Sequence, residues 1–574
     1  MPEMDRSLEG PKNNFKGRLL STLIASAVVM SFIATLLMAP VPSEDNSPAR
    51  IAYEIHDPIL INNSADFISQ AISEAWEGDG SSVTPYIIQG YDISAASVPG
   101  IQIFESDLYF IIKDCYIHDG GASNVGQDGI YLDTCTNGAL NNNICSNNKY
   151  GILLWDCTGS NTLNSNNCSG NYYGIYLESS GGSTVSNNIC NSNVCDGIHL
   201  PSSSYSTVSN NTCVSNGYRG LSLDTSNYCV LSNNNCSSNG YDGIFLYEST
   251  SNNISDNDCI QNTQNGIQID TSCNYNTLSD NHCLDNDLYG IEVKSSSNNT
   301  VAHNDCQLNN FGVSVEQSSG NTLSNNTCNY NGYGIYLESS SNNTLSNNAC
   351  TSNSNYGILL YLSRDNVANT NNCSSNDGGI RIYESSHSTL SNNNCSSNVN
   401  YGIHVFFSSS NNTLSNNNCS SNGYYGIYVD LSSNYNAMTW NHLSNNTEYG
   451  ITITSGSNNN AISNNTFYHN NGAGDTYSMF HVQAFDAGTN NQWYSVSGQG
   501  NWWSDWTTPD DSPTDGIVDS PYSIYGGSAT DNYPMTVPPV PPLIPEFSDI
   551  IIPIIGLILI SLALSKSKKK DLKN

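Results

Sequence analysis

The sequence predicts an all-β fold, a right-handed parallel β-helix solenoid of about fifteen coils. Three observations lead to it: a glycine followed by an aliphatic residue recurs every 22 to 24 residues, each repeat holds three short strand signals, and Asn, Ser and Gly fill the turns. A chain of 574 residues exceeds the usual size of one compact core, which also favours a repeat array. The repeat glycines are Gly129, Gly151, Gly174, Gly197, Gly220, Gly243, Gly266, Gly290, Gly312, Gly334, Gly357, Gly379, Gly402, Gly426 and Gly450.

Each repeat supplies three strand signals and leaves no room for a helix. In one repeat, period-2 alternation points Ile335 and Leu337 inward and Tyr336 outward. The Asn-Thr-Leu-Ser run at residues 321–324 adds one inward aliphatic side chain, and the third signal centres on Cys328. Three strands per coil, each paired in parallel with its equivalent in the next coil, form a β-helix.

Stacked coils place equivalent residues above one another, so like residues form ladders. We expect Asn166, Asn188, Asn211 and Asn234 to donate their side-chain amides to the neighbouring coil, where they satisfy backbone groups of the turns. The abundance of Asn is therefore interpreted as structural rather than prion-like.

Thirteen of the 19 cysteines follow the glycine period, and Leu443 takes the same place in the last coil, which indicates a buried apolar position. Stacked residues have parallel Cβ vectors about 4.8 Å apart, whereas a disulfide needs about 3.8 Å. Buried free thiols are therefore favoured over a disulfide framework or a metal–thiolate ladder. The periodic cysteines are Cys145, Cys168, Cys190, Cys213, Cys236, Cys259, Cys283, Cys306, Cys328, Cys350, Cys373, Cys395 and Cys419. The others are Cys115, Cys135, Cys157, Cys195, Cys229 and Cys273, of which Cys135 and Cys157 are predicted to be neighbours in one column.

The ends of a solenoid expose strand edges and need caps. Residues 64–77 carry apolar side chains at helical spacing, with Ser64 as N-cap, and predict a helix that covers the first coil. We expect the cap and first irregular coils to span residues 50–112, the repeats 113–466, and a Trp- and Asp-rich C-terminal cap module 467–536. The predicted apolar residues of the helix are Phe67, Ile68, Ala71, Ile72, Ala75 and Trp76, and the tryptophans of the C-terminal cap are Trp493, Trp502, Trp503 and Trp506.

Two apolar segments frame the chain. Basic residues precede the apolar run 19–39, which predicts that residues 1–49 are a secretory signal peptide or a signal anchor. Residues 537–546 are predicted to be a Pro-rich stalk, and residues 547–574 a transmembrane or sorting segment with a Lys-rich tail. By the positive-inside rule the tail lies in the cytoplasm and the body lies outside. The membrane is therefore a predicted partner, bound through the C-terminal segment.

The formal charge of −34 results from 50 acidic residues against 16 basic ones. No basic patch can neutralise phosphates, which excludes nucleic acid as a partner and favours cations or a cationic surface. Carboxylates just beyond the first strand of many coils predict a broken acidic stripe, either a solvated edge or a surface that binds cations diffusely. The stripe comprises Asp133, Glu178, Asp224, Asp270, Glu316, Glu338 and Asp430, with Asp156, Glu248 and Glu384 nearby.

No catalytic residue is predicted. Basic side chains are scattered singly through the coils, at Lys149, Arg219, Lys294, Arg364 and Arg381, and no repeat carries a long inserted loop. A hydrolase with paired carboxylates stays open, because carboxylates do stack in this fold. The outward tyrosines Tyr131, Tyr176, Tyr336 and Tyr428 form a periodic column that could stack on sugar rings or pack along the strands.

Two further groups of residues are candidate sites. Asp511, Asp515 and Asp519 resemble a degraded calcium loop, in which Pro513 occupies a ligand position; calcium is thus the one cofactor suggested, against a plain acidic turn. Asn-x-Ser/Thr motifs in the coils are glycosylation candidates, at Asn210, Asn253, Asn298, Asn325, Asn342, Asn411 and Asn445.

The coils, the run at residues 85–90 and the closing runs at 500–505 and 531–534 resemble the NosD-type β-helix surface proteins of methanogenic archaea. The founding member of that family assists copper-site maturation. Here the ten histidines form no HxH or HxxxH cluster and only Met479 and His481 form a close Met/His pair, so the resemblance implies the fold rather than the copper function.

A second resemblance lies near the end of the chain. Pro545, Glu546 and Phe547, followed by an apolar run and a Lys-rich end, resemble the PEF-CTERM sorting signal. That implies cleavage near the motif by an archaeosortase and transfer to a surface lipid.

The leading functional prediction is a non-enzymatic cell-surface structural or adhesive protein that binds an envelope polysaccharide or a neighbouring surface-layer protein. A polysaccharide lyase or glycoside hydrolase of β-helix type is the alternative, and a copper- or calcium-handling surface protein is the second alternative. Because every coil is alike, the period argues against a single catalytic site. We expect any binding specificity to lie where the period is broken.

Overall fold

The computed structural model describes residues 53–511 and 513–540, which wind into a parallel β-solenoid with the right-handed connections that parallel strands favour. The predicted fold class is confirmed. The stack has about seventeen turns rather than fifteen, because irregular coils before Gly129 also join it. The predicted signal segment, sorting motif and Lys-rich tail lie outside the described residues, and within them no helix is long and apolar enough to cross a bilayer.

The first sheet, face 1, contains eighteen parallel strands. Equivalent residues pair in register, so Val313, Ile335 and Ile358 follow one another in a single column. The strands of face 1 are Ile59–Ile61, Ile101–Phe104, Ile130–Asp133, Tyr150–Trp155, Tyr173–Glu178, Ile198–Pro201, Leu221–Asp224, Ile244–Tyr247, Ile267–Asp270, Tyr289–Lys294, Phe311–Glu316, Tyr333–Glu338, Tyr356–Tyr361, Gly378–Tyr383, Tyr401–Phe406, Tyr425–Val429, Ile451–Ile453 and Ala484–Asp486.

The second sheet, face 2, contains seventeen parallel strands that correspond to the Thr-Leu-Ser signal. Leu323 pairs with Leu345, and each points into the core. The strands of face 2 are Tyr86–Gln89, Phe110–Lys113, Gly138–Asn141, Thr162–Asn164, Thr184–Ser186, Thr207–Ser209, Val230–Ser232, Asn253–Ser255, Thr277–Ser279, Thr300–Ala302, Thr322–Ser324, Thr344–Ser346, Val367–Asn369, Thr389–Ser391, Thr413–Ser415, Ala437–Thr439 and Ala461–Ser463.

The third side, face 3, is a sheet only near the two ends of the described chain. Through the repeats each coil contributes one bridging residue before the periodic cysteine, as Asn167, Ile189 and Thr212 do. Buried turn asparagines such as Asn166 and Asn171 lie on both sides, which leaves too few residues for the strand predicted there. The strands of face 3 are Glu54–Ile55, Tyr91–Ser94, Tyr116–His118, Ile144–Ser146, His442–Ser444, Thr466–Tyr468 and Trp502–Trp503; a separate antiparallel pair joins Tyr522–Ser523 to Thr530–Asp531.

The core consists of inward columns from the three faces. Ile335 and Leu337 of face 1, Leu323 of face 2 and Cys328 of face 3 are all completely buried. Each buried aliphatic side chain contributes about 1.5–3 kcal/mol, and every coil repeats the set. The burial predicted for the periodic cysteines is confirmed at all thirteen positions.

The repeat glycine is required by the approach of the next coil. A β-carbon on Gly334 would collide with the carbonyl oxygen of Gly357 and lie 2.8 Å from Cβ of Cys350. The adjacent coils therefore set the period through close backbone contact, which explains why glycine recurs where no left-handed conformation calls for it.

Asparagine ladders run along the turns, as predicted. Asn211 Nδ2 donates to Val185 O at 2.9 Å and to Asn234 Oδ1 at 3.0 Å, and the Asn211 N–H donates to the same Oδ1 at 3.0 Å. Each amide thus bonds to both neighbouring coils and satisfies buried turn groups. The first ladder is Asn143, Asn166, Asn188, Asn211, Asn234, Asn257, Asn281, Asn304, Asn326, Asn348, Asn371, Asn393, Asn417, Asn441, Asn465 and Asn501.

A serine ladder explains three cysteines that break the period. Each N–H along it donates to the side chain in the next coil, as Ser180 does to Ser203 Oγ at 2.8 Å. Sulfur replaces this oxygen at Cys157, which accepts from the Cys135 N–H at 3.2 Å, and at Cys273, which accepts from a serine N–H at 3.3 Å. The predicted pairing of Cys135 and Cys157 in one column is confirmed.

Two of the remaining off-period cysteines begin asparagine ladders. Cys115 and Cys229 stand next to asparagine ladders, because their N–H groups donate to Asn143 Oδ1 at 3.1 Å and Asn252 Oδ1 at 2.7 Å. Cys195 is the one cysteine that is not fully buried. No disulfide joins any of the 19 cysteines, all of which lie in the described ranges.

The N-terminal helix spans Ser64–Ser73 and differs from the prediction at its start and its length. Asn63, with extended backbone, is the N-cap and accepts a hydrogen bond from the Asp66 N–H at 3.0 Å, so Ser64 is the first helical residue. Phe67 is buried against Tyr86, with ring centroids 5.3 Å apart. Two other residues of the predicted apolar face, Ile68 and Ile72, are exposed.

The tryptophan-rich module continues the core beyond the last repeat. Trp503 is fully buried and stacks between Phe467 and Tyr522, with centroid distances of 4.1 and 4.0 Å. Its Nε1–H donates to Asp531 Oδ2 at 3.0 Å, and the Asn501 N–H donates to the same oxygen at 2.7 Å. This module buries its largest side chains against the final coils.

The only other helical segment in the described chain is the 3₁₀ turn Asn470–Gly472.

Candidate functional site

The solvent side of face 1, called the outer face here, presents three columns of side chains. The first column is the residue before the repeat glycine, and the second and third are two and four residues after it. In one coil these are Tyr173, Tyr176 and Glu178, and the two tyrosine rings lie 5.3 Å apart. Because coils stack in register, each residue type continues along the solenoid axis.

The first column is largely aromatic. Tyr289, Phe311 and Tyr333 follow one another with centroid distances of 5.2 and 5.0 Å, and Tyr401 and Tyr425 stack at 5.8 Å. These distances suit offset aromatic packing, so part of each ring is covered by its neighbour and part faces solvent.

The predicted outward tyrosines of the second column pair with carboxylates of the third. Tyr336 Oη donates to Glu338 Oε2 at 2.8 Å, and Tyr428 Oη donates to Asp430 Oδ2 at 2.9 Å. Burial and the neighbouring carboxylate raise the pKa of Tyr336, so the phenol stays protonated and keeps donating. Two further pairs join Tyr131 to Asp133 at 2.9 Å and Tyr176 to Glu178 at 3.3 Å.

The acidic stripe lies in the third column, interrupted by other residues. Asp133 and Glu178 are separated by Trp155, and Lys294 lies in register between Asp270 and Glu316. Among the seven predicted stripe residues, only Glu316 and Glu338 occupy the third column in adjacent coils. The nearby carboxylates Asp156, Glu248 and Glu384 fall one position later, where the backbone is left-handed.

The aromatic first column is interrupted in four successive coils, which we call the polar break: Asp196, Arg219, Asp242 and Asn265. Arg219 Nε lies 3.4 Å from Asp242 Oδ2, and its guanidinium stacks on Phe245 at 3.5 Å from the ring centroid. Asp242 is fully buried, and burial raises the pKa of its carboxyl to about 7 even though Arg219 acts in the opposite direction.

Further polar residues contact the polar break from the second and third columns. His199 lies between two carboxylates, 3.5 Å from Asp196 Oδ2 and 2.9 Å from Asp224 Oδ2. Asp196 also accepts a hydrogen bond from Ser222 Oγ at 2.8 Å. Glu292, whose pKa burial raises to about 7, accepts from Asn265 Nδ2 at 3.3 Å.

A second interruption surrounds Gly378, where a β-carbon would collide with the ring of Tyr356. That ring fills the gap, and Tyr356 Oη accepts a hydrogen bond from Arg381 Nη1 at 3.3 Å. His404 is buried beside Arg381 and stacks on Tyr428 at 4.8 Å. Burial, with the nearby guanidinium, lowers the pKa of His404 to about 3, so this imidazole is neutral at physiological pH.

Neither interruption is predicted from the sequence. Arg219 and Arg381 look isolated along the chain, whereas Asp196 and Asp242, the in-register neighbours of Arg219, are each 23 residues away. A signal is nevertheless present in the residue that precedes each repeat glycine: Tyr gives way to Asp, Arg, Asp and Asn in four consecutive repeats.

The predicted calcium loop uses its carboxylates within the loop. Asp519 Oδ2 accepts from the Asp511 N–H at 2.8 Å, and Asp515 Oδ1 accepts from the Ile517 N–H at 3.0 Å. In residues 53–511 and 513–540 no three His, Cys, Asp or Glu side chains converge as a metal site would require. Calcium binding by Asp511, Asp515 and Asp519 stays a prediction.

The predicted glycosylation candidates lie on the surface. All seven are exposed, and all but Asn253 have left-handed backbone in turns between strands. Each of these amides is therefore accessible to a modifying enzyme, and glycosylation stays a prediction. The sorting residues Pro545, Glu546 and Phe547 lie outside the described part of the chain.

Comparison with protein families gives a match over most of the solenoid. The model described as "Periplasmic copper-binding protein (NosD)" matches residues 73–242, 192–305, 284–418 and 406–508. The chain belongs to the NosD family. No curated protein matches it.

Several solved structures are similar at low identity. A single-residue mutant of the periplasmic alginate epimerase AlgG is 15% identical, with a TM-score of 0.36, covering 58% of this chain and 84% of that chain. The Azotobacter vinelandii mannuronan C-5 epimerase AlgE4 A-module is 14% identical, with a TM-score of 0.24, covering 70% and 96%. The Dettilon tailspike protein gp208 is 16% identical, with a TM-score of 0.31, covering 55% and 65%.

The residues present do not fit the copper that the NosD description implies. Copper sites use converging imidazole, thiolate or thioether ligands, and the described ranges bring no such group of three together. His481 Nδ1 lies 2.9 Å from Asn471 O, and its sequence partner Met479 is exposed. The stacked cysteines sit in the apolar core, where burial raises the thiol pKa, as at Cys283, and disfavours the thiolate that binds metal.

Proposed function

We propose that this chain is a non-enzymatic cell-surface protein whose outer face binds envelope polysaccharide. The observation that supports this most directly is the repeated tyrosine–carboxylate pair, present at Tyr131, Tyr176, Tyr336 and Tyr428. Aromatic rings offer apolar surface to a sugar, and carboxylates accept hydrogen bonds from its hydroxyls.

The stacking supports a long, linear ligand. Coils follow one another at roughly 4.8 Å, so equivalent tyrosines and carboxylates are offered repeatedly along one line. Weak contacts to successive sugars then add as linked binding events, and avidity replaces a single deep pocket. A neighbouring surface-layer protein is the second partner that such an extended face would suit.

The proposal places the body outside the cell. In this proposal the predicted signal in residues 1–49 directs secretion, and residues 537–546 serve as the predicted stalk. The predicted PEF-CTERM-like signal, which begins at Pro545, would lead to attachment to the membrane or to a surface lipid, as in archaeal surface proteins. The family description as periplasmic supports an extracytoplasmic location. The exposed sequon asparagines would carry glycans on such a surface protein.

A glycan array probed with the full-length chain tests the proposal. The Tyr336→Ala and Tyr428→Ala double variant should lose most of its binding to the polymer that the native chain selects. Tyr205→Ala is the matched control, because Tyr205 is an exposed tyrosine of a turn that lies off the outer face. Equal binding by all three proteins, or no binding to any glycan, would contradict the proposal.

A polysaccharide lyase or glycoside hydrolase is the second candidate, favoured by one observation. His199 is held between Asp196 and Asp224, and such a bracketed imidazole can exchange protons with a substrate. A reducing-sugar assay on every polymer bound in the array separates the candidates. Turnover that disappears in His199→Ala would establish the enzyme and reject the adhesive role.

A further inference from the structure

The polar break contains buried acceptor atoms that lack hydrogen-bond donors. Asp242 Oδ2 and Asn265 Oδ1 are both buried and accept no hydrogen bond; the 3.4 Å approach of Arg219 Nε to Asp242 Oδ2 is an ion pair without hydrogen-bond geometry. Buried acceptors without donors are costly, and natural structures retain few of them. A bound group rich in donors would satisfy both atoms.

The charges around the break also favour a cationic ligand. Six carboxylates, at Asp196, Asp224, Asp242, Asp270, Glu292 and Glu316, meet three basic groups: the Arg219 guanidinium, the Lys294 ammonium and the His199 imidazole. The guanidinium of Arg219 is already engaged by a carboxylate and by the Phe245 ring. An anionic sugar would meet this acidic excess and be repelled, whereas an ammonium would relieve it.

The surroundings of the break suit a sugar. The aromatic column resumes on both sides, with Tyr173 in the preceding coil and Tyr289 in the following one. In the second column, the half-buried Gln268 lies in register between Phe245 and Glu292. A ligand on the outer face therefore reaches the Glu292 carboxylate past the side chain of Gln268. A polysaccharide along the outer face would therefore cross the break between two aromatic platforms.

We propose that the polar break is a subsite for a protonated amino sugar, whose ammonium donates to Asp242, Asn265 and Glu292. An ammonium has three donors and no acceptor, which matches this set of acceptors. The adjacent sugars of the polymer contact Tyr173 and Tyr289. This inference rests on the proposed function, because it names the sugar class that the outer face selects.

Titration calorimetry of the full-length chain with two ligands tests this: a glucosamine hexamer and the N-acetylglucosamine hexamer, which has the same length but no ammonium. We expect the glucosamine hexamer to bind at least tenfold more tightly in about 0.15 M salt, where exposed charges are screened. Glu292→Gln should reduce that preference to less than threefold. Asp156→Asn is the control, since it removes one exposed carboxylate from a left-handed turn position off the outer face and should leave the preference unchanged.

The outcomes separate the two proposals. Equal binding of both hexamers, with no effect of Glu292→Gln, overturns the amino-sugar subsite and leaves polysaccharide binding standing. An equal loss in Glu292→Gln and Asp156→Asn shows diffuse charge attraction and also overturns it. No binding of these hexamers or of any arrayed glycan rejects the proposed function, and the subsite with it.

Discussion

Asn234→Ala should destabilise the centre of the solenoid strongly, although it removes only one small side chain. Asn234 Nδ2 donates to Val208 O at 2.9 Å and to Asn257 Oδ1 at 3.0 Å, and Asn234 Oδ1 accepts from the N–H and Nδ2 of Asn211, both at 3.0 Å. Truncation removes all four bonds. It leaves the buried Asn211 N–H without an acceptor and takes a donor from Val208 O.

The magnitude follows from those two backbone groups. A buried group left unsatisfied costs about 1–3 kcal/mol, so we expect Asn234→Ala to lower the free energy of unfolding by about 3 kcal/mol. The neighbouring Asn235→Ala is the matched control, because Asn235 Oδ1 has no hydrogen-bond partner and its backbone bridges are independent of the side chain. Asn235→Ala should lower the free energy of unfolding by less than about 0.5 kcal/mol.

Urea unfolding of the full-length chain, followed by circular dichroism, measures the difference between the two variants. Hydrogen exchange adds a local readout, since the Asn211 amide should exchange faster in Asn234→Ala and at the native rate in Asn235→Ala. Equal unfolding midpoints for the two variants, with native protection of Asn211, would refute the view that the ladders hold the coils together.

Three other measurements follow from the same structure. Burial raises the pKa of Glu292 to about 7, above its unfolded value near 4.3, so the native carboxyl adds stability below about pH 4 that is lost as the pH rises to 7. Glu292→Gln should therefore raise the free energy of unfolding by about 3 kcal/mol at pH 8 and leave it unchanged at pH 4. A gain at both pH values would contradict the assignment. Gly334→Ala should cost about 2 kcal/mol or more in urea unfolding, because its β-carbon would overlap the next coil, whereas Gly474→Ala has no atom within 4 Å and should be neutral. Thiol titration should find few reactive cysteines in the native chain and all 19 in denaturant without reductant, and a small denatured count would reveal disulfides.

The periodic part of the fold can be predicted because every coil repeats the same constraints. A glycine that meets the next backbone, inward Ile and Leu, and a turn asparagine each recur at one spacing, so the sequence reports them many times over. The caps occur once and are harder to predict. Asn63 and Ser64 are both good N-cap residues, and only the backbone conformation and the bond to Asp66 separate them.

The candidate site is harder to predict, because its members are far apart in sequence. Sequence motifs join residues that are a few positions apart, whereas the solenoid brings together residues about 23 positions apart. Arg219 therefore looks like a scattered charge along the chain, although Asp196 and Asp242 flank it in the adjacent coils. The off-period Cys273 is hard to interpret for the same reason, since only its neighbours in the serine ladder explain it.

This geometry turns small departures from the repeat into local chemistry. A single substitution in one coil changes one point of a uniform surface, but substitutions at the same position of consecutive coils create a cluster whose members lie about 4.8 Å apart. The run from Asp196 to Asn265 does this in four coils without altering the inward residues Ile198, Leu221 and Ile244, which remain fully buried. The core of these coils is thus independent of their outer face. Residues that determine binding specificity can therefore occur in any coil with little effect on folding stability. In this chain they are most concentrated in the polar break, where the aromatic first column is interrupted.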